Sequence, residues 1–247
     1  VYGLTISIAI LASVLCADKL AKRSGLDPEI IWQGAPIVIL SGLLGARLYH
    51  VSANLPYYLG QPLRIFQFWN GGLGIIGALL AGGLACVLFL LYKKEPLLPW
   101  VDITAVSVPL AQALGRWGNF FNTELFGLPT NLPWSMYVPE NRRPEYYITS
   151  THFHPLFLYE SLANLALFWF LYAQYKKSGR QQGYFLINYV RSYCIIRFFL
   201  EFLRIDPWSL GGVNVAQLVC VVAFCATLPF LKNTSSKIQK DNVILKT

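Results

Sequence analysis

Seven apolar runs, at residues 2–20, 33–55, 71–92, 100–114, 156–175, 184–203 and 211–231, leave this chain few architectures. Runs of this length and greasiness are what a helix needs to cross the hydrocarbon core of a bilayer. The fourth is the shortest, with Asp102 and Pro109 inside it. Composition agrees: 55% of the 247 residues are hydrophobic and 13% charged, and the mean hydropathy is +0.47, well above a soluble domain. The fold class expected is an all-α polytopic membrane protein with about seven transmembrane helices. The chain opens at Val1 with no basic region ahead of the first run and no small-residue cleavage pattern. The true start is therefore expected upstream, and the first run is read as a retained span, not a leader.

Basic residues in short loops stay on the cytoplasmic side. With the N-terminus outside, the loops after spans one, three, five and seven hold Lys19, Lys22, Arg23, Lys93, Lys94, Lys176, Lys177, Arg180, Lys232, Lys237, Lys240 and Lys246. The outer segments keep Arg64, Arg142, Arg143 and Arg204. This asymmetry places the C-terminus in the cytoplasm and accounts for the net charge of +8 through anionic lipid, so no nucleic-acid partner is read from it. Cys16, Cys86, Cys194, Cys220 and Cys225 all fall in apolar runs, as small packing residues. With no clustered ligand set and no phosphate-cradling glycine loop, neither metal nor nucleotide cofactor is expected.

Residues 1–231 read as one membrane domain. Its irregular, Pro-rich insertion at 119–154 is expected to form a small extracytoplasmic cap between spans four and five; 232–247 reads as a basic cytoplasmic tail. Gly74, Ala78 and Gly82 in span three, with Gly42 and Ala46 in span two, are spaced for close helix packing.

Four places put strongly polar groups at membrane depth, where each is costly unless paired or useful. "GRWGNFFNTELFG" (115–127) supplies Arg116, Asn119 and Glu124; "GARLYHV" supplies Arg47; "HPLFLYE" supplies His154, Tyr159 and Glu160; and "YCIIRFFLEFLR" carries Tyr193, Arg197, Glu201 and Arg204 on one helical face. All lie toward the outer leaflet. An isolated Arg197–Glu201 pair would be an ordinary structural ion pair, whereas several such groups converging on one leaflet indicate a site. Arginines there suit a phospholipid phosphate, to which the planar guanidinium donates two hydrogen bonds.

These blocks, with "YGL" at Tyr2 and "LPTNLPW", together resemble the phosphatidylglycerol:prolipoprotein diacylglyceryl transferase family over nearly the whole chain. The resemblance implies a bacterial inner-membrane enzyme that moves the diacylglyceryl group of phosphatidylglycerol onto the lipobox cysteine of a prolipoprotein, releasing glycerol 1-phosphate. It implies Arg116, Asn119, Glu124, Gly127 and Tyr2 as the phosphatidylglycerol site, completed by Tyr193, Arg197 and Glu201. In many members the span-three glycine segment carries a histidine taken as the base; here Ile76 stands in its place. The base is left among His50, His154 and Glu201, with His50 read as the catalytic histidine. An inactive lipid-binding relative is one alternative. A transporter is another, disfavoured because the charges cluster at one face and no inverted repeat is visible. The scattered aspartates exclude a metal-dependent CDP-alcohol phosphotransferase.

Overall fold

The structure is a computed structural model that describes residues 1–177 and 182–230. Arg180, Leu231 and the 232–247 tail lie outside the described residues. Eight α-helices are described: α1 (Tyr2–Arg23), α2 (Glu29–Ala53), α3 (Leu55–Gly60), α4 (Ile75–Tyr92), α5 (Leu97–Phe121), α6 (Leu156–Lys176), α7 (Tyr184–Leu200) and α8 (Val215–Thr227). Five of them, α1, α2, α4, α5 and α6, are long and apolar enough to cross a membrane. The protein is thus an all-α polytopic membrane protein. The last two apolar runs fold as shorter helices, of 17 and 13 residues. The seventh run loses its start because Gly211 and Gly212, at φ +57° and +81°, turn the chain between β3 (Ser209–Leu210) and β4 (Val213–Asn214). The Asn214 side chain then accepts from the Gln217 amide and caps α8.

The chain divides into two compact units, residues 18–100 and residues 1–17 with 101–247. In the first, α2 and α4 pack along their glycines. A Cβ on Gly45 would lie 2.4 Å from the Gly77 carbonyl oxygen, and one on Gly77 would lie 2.1 Å from that of Gly45. Gly42 faces the Ala78 carbonyl and Gly82 that of Val38, each at 3.4 Å. The expected small-residue stripes do pack the helices, with the tightest point one position away, at Gly45 and Gly77.

Arg47, read from the sequence with the site groups, has a structural task in this unit. Only 4% exposed, its guanidinium donates to the carbonyls of Ile65 (2.8 Å), Gly71 (2.6 Å), Gly72 (3.0 Å) and Arg64. It also sits over the Tyr58 and Phe68 rings. The irregular chain between α2 and α4 is therefore wrapped around one cation that satisfies its orphan carbonyls. His50 packs beside Gly72 and edge-on to Tyr58, and Ile76 stands exposed in the first turn of α4.

In the other unit, Asp102 explains how a carboxylate tolerates α5. It is buried and accepts from the backbone amides of Gly183 (2.7 Å) and Leu186 (2.9 Å), capping the N-terminus of α7. Pro109 is also buried within α5. The helix runs past the fourth apolar stretch to Phe121, so residues 119–121, expected to open the irregular insertion, are its last turn instead. Residues 122–155 hold the two-stranded pair β1 (Met136–Tyr137) and β2 (His152–Phe153), two 3-10 turns and several hydrogen-bonded loops.

Candidate functional site

The site grows from where α5 ends. Thr123, in the left-handed region at φ +52°, stops the helix, its amide donating to the Phe120 carbonyl and the next amide, of Glu124, to that of Asn119 at 2.8 Å. That pair of bonds closes a Schellman turn. A β-branched residue is strained in that conformation, and Leu125 at φ +56° adds a second strained position, at on the order of 1–3 kcal/mol each. The turn re-aims the chain so that Gly127 bridges to Arg204 and Leu128 donates to the Leu203 carbonyl at 2.9 Å. Gly127 has no room for a side chain, since a Cβ would lie 2.5 Å from the Leu203 carbonyl oxygen. The signature is thereby tied to the C-terminal end of α7, where the second charged motif stands.

Arg116 points from α5 to α6, and its Nη2 lies 2.6 Å from Glu160 Oε1. The Arg116 side chain is 30% exposed and that of Glu160 2%. Directly after α7 ends, Glu201 is held by two arginines, Arg197 at 2.6 Å and Arg204 at 3.6 Å. Tyr193 joins the pairs: its phenol interacts electrostatically with Glu160, Arg116 and Arg197. Three arginines against two glutamates leave this cluster one positive charge, the complement of one phosphodiester. Arg116 Nε is buried with no hydrogen-bond partner among the described residues. A buried orphan of this kind costs about 1–3 kcal/mol, which a protein keeps where a ligand will use it.

Tyr2 packs on the signature, where a Cβ on Gly118 would lie 2.8 Å from its ring. Asn119 is half-buried in the last turn of α5, while Glu124 is exposed beyond it and within 3.5 Å of Asn122 Nδ2. His154 Nδ1 lies 3.2 Å from the Tyr159 hydroxyl, which also accepts from Trp134 Nε1 at 2.8 Å. Of the residues named from sequence, the structure thus gathers Arg116, Tyr193, Arg197 and Glu201 into one cluster, with Tyr2 and Gly127 packed on its signature. His50 belongs to the 18–100 unit. Glu160, noticed as a polar group but not assigned to the site, is the partner of Arg116. Gln112, Asn164 and Tyr189 were passed over; their only signal is four-residue spacing from Arg116, Glu160 and Tyr193.

The prolipoprotein diacylglyceryl transferase family model matches residues 1–232. The chain belongs to that family. Similar curated relatives carry the name phosphatidylglycerol–prolipoprotein diacylglyceryl transferase. The one from Synechococcus elongatus is 40% identical, covering 90% of this chain and 78% of the relative. That from Prochlorococcus marinus is 38% identical, over 92% and 84%, and that from Parasynechococcus marenigrum 39% identical, over 88% and 83%. The chain thus spans about four fifths of the length of these relatives, and the Arg116 signature lies inside the region that the family model matches. No metal-binding group of His, Cys, Asp and Glu occurs among the described residues.

Proposed function

We propose that this protein transfers the diacylglyceryl group of phosphatidylglycerol to the lipobox cysteine thiol of prolipoproteins, with Arg116 and Arg197 holding the phosphate. The carrying observation is the Arg116–Glu160–Tyr193–Arg197–Glu201 cluster in a chain of this family. The thiol gives its proton to a base, and its sulfur attacks the sn-3 carbon of the lipid glycerol. A C–S bond forms as the C–O bond to phosphate breaks, and the electron pair leaves on the phosphate oxygen. The products are a thioether and glycerol 1-phosphate. Charge on the phosphate rises in the transition state, so arginines already aimed at it stabilise that state more than the bound lipid. The acceptor thiol comes from the substrate, and no cysteine of the enzyme is required.

In this reading Glu160 and Glu201 fix the two guanidinium planes, Tyr193 lies between them, and Asn119, Tyr2 and Gly127 shape the signature end of the site with Glu124 at its rim. His50 is the proposed proton acceptor, on the sequence reading alone. Seven spans are proposed on the seven apolar runs, residence in the inner membrane on the family, and the extracytoplasmic position of the 119–154 cap, an outer N-terminus and a cytoplasmic tail at 232–247 on the distribution of Lys and Arg. Purified protein mixed with phosphatidylglycerol and a lipobox peptide should release glycerol phosphate and add a diacylglyceryl mass to the peptide cysteine. Intact peptide with fully folded protein would defeat the reading.

A further inference from the structure

Below the charged cluster lies a second, neutral tier. Arg116 meets Glu160, and Ser161 Oγ donates to the Ala113 carbonyl at 2.8 Å, so α5 and α6 run antiparallel here. Four residues along each helix, about 6 Å at helical rise, bring Gln112 level with Asn164. On α7, Tyr189 is one turn from Tyr193, their rings stacked with centroids 5.9 Å apart, and Tyr189 interacts electrostatically with the Gln112 side chain. The tier is thus Gln112, Asn164 and Tyr189, uncharged and against the charged one.

Asn164 is completely buried. Its Nδ2 donates to the Glu160 carbonyl at 2.9 Å, but its Oδ1 has no partner among the described residues, and neither has the buried Gln112 Oε1. Apart from the Glu201 oxygens, which are ion-paired with Arg197 and Arg204, the two tiers with Arg116 Nε present two orphan acceptors and one orphan donor. A vicinal diol is the complement: two hydroxyls to donate and an oxygen to accept. Buried acceptors of this kind penalise a ligand that lacks the hydroxyls, because they then stay unpaired.

We propose that Gln112, Asn164 and Tyr189 form the subsite for the terminal glycerol of the phospholipid head group and select a donor that carries its hydroxyls. The inference rests on the transferase reading and adds a specificity determinant to it. The phosphate sits on the arginines, and the glycerol beyond it reaches the neutral tier. An ammonium head group would bring a second cation beside Arg116.

The test compares kcat/KM for phosphatidylglycerol with that for phosphatidylpropanol of the same acyl chains, which keeps the phosphodiester and the three-carbon skeleton but neither hydroxyl. Wild type should prefer phosphatidylglycerol by about a hundredfold or more. Asn164→Leu and Gln112→Leu should shrink that preference to about threefold, chiefly by losing phosphatidylglycerol turnover. The ratio is taken within one preparation, so partial loss of folded enzyme cancels. A wild type indifferent to the hydroxyls overturns the subsite, as do variants that lose both donors equally and keep the preference. A wild type that turns over phosphatidylpropanol but not phosphatidylglycerol overturns it too. Failure of wild type to transfer from any donor would instead sink the transferase reading, and the subsite with it.

Discussion

Two arginines, both in membrane-embedded surroundings, are used in opposite ways. Arg47 donates from all three of its nitrogens to four backbone carbonyls and is almost completely buried. Arg116 makes one charged contact, leaves Nε without a partner among the described residues and keeps nearly a third of its side chain open. Burial of a cation in a membrane protein is therefore no sign of a site by itself. Unspent donors are the better sign. The same contrast holds for the units around them, one closed by glycine contacts at 2.1–2.4 Å from an imagined Cβ, the other closed by ion pairs that a ligand can enter.

The largest effect expected is on Arg116. Replacing it with Lys keeps the charge but loses the fork, and turnover should fall on the order of 10²–10³-fold with little change in the thermal midpoint. A comparable loss from Arg47→Lys without a fall in midpoint would erase the distinction between the two. Next comes Arg47→Met, which orphans the carbonyls of Arg64, Ile65, Gly71 and Gly72 and should destabilise the protein by about 3 kcal/mol, read as unfolding in detergent. Gly77→Leu should cost about 1–3 kcal/mol by overpacking against Gly45, whereas Gly83→Ala, with nothing within 4 Å of its imagined Cβ, should be neutral or slightly stabilising. Equal melting of Gly77→Leu and wild type would show that α2 and α4 do not meet there.

The smallest effect concerns Tyr146, whose hydroxyl donates to the Asp206 carboxylate and whose pKa that bond pushes up to about 12. The fold favours the neutral phenol, so the bond's contribution is complete below the ordinary tyrosine value of about 10 and is lost as pH rises through about 12. Tyr146→Phe should melt slightly below wild type at neutral pH and converge with it above pH 12. A gap that widened with pH would contradict the sign.

Much of this was legible in the letters alone. Long apolar runs marked the helices, and Tyr193, Arg197 and Glu201 announced a shared face by their spacing. What was not legible involves partners that spacing does not encode. Arg116 and Glu160 are 44 positions apart, and only the packing of α5 on α6 joins them. Asp102 looked like a flaw in a span because the amides it caps lie more than 80 residues on. Arg47 resembled a site residue because its partners are backbone carbonyls, which no residue type signals. The end of α5 was misplaced for a local reason: Thr123 stops the helix in a conformation that its type disfavours.

The bond that breaks is the most direct witness to the role of Arg116 and Arg197. Phosphatidylglycerol carrying ¹⁸O at the bridge between the sn-3 carbon and phosphorus would be turned over with a lipobox peptide and the products weighed. If the arginines hold the phosphate as leaving group, all of the label appears in glycerol phosphate and the peptide gains an unlabelled diacylglyceryl thioether. Label retained on a diacylglycerol would mean cleavage between oxygen and phosphorus, and would contradict that role.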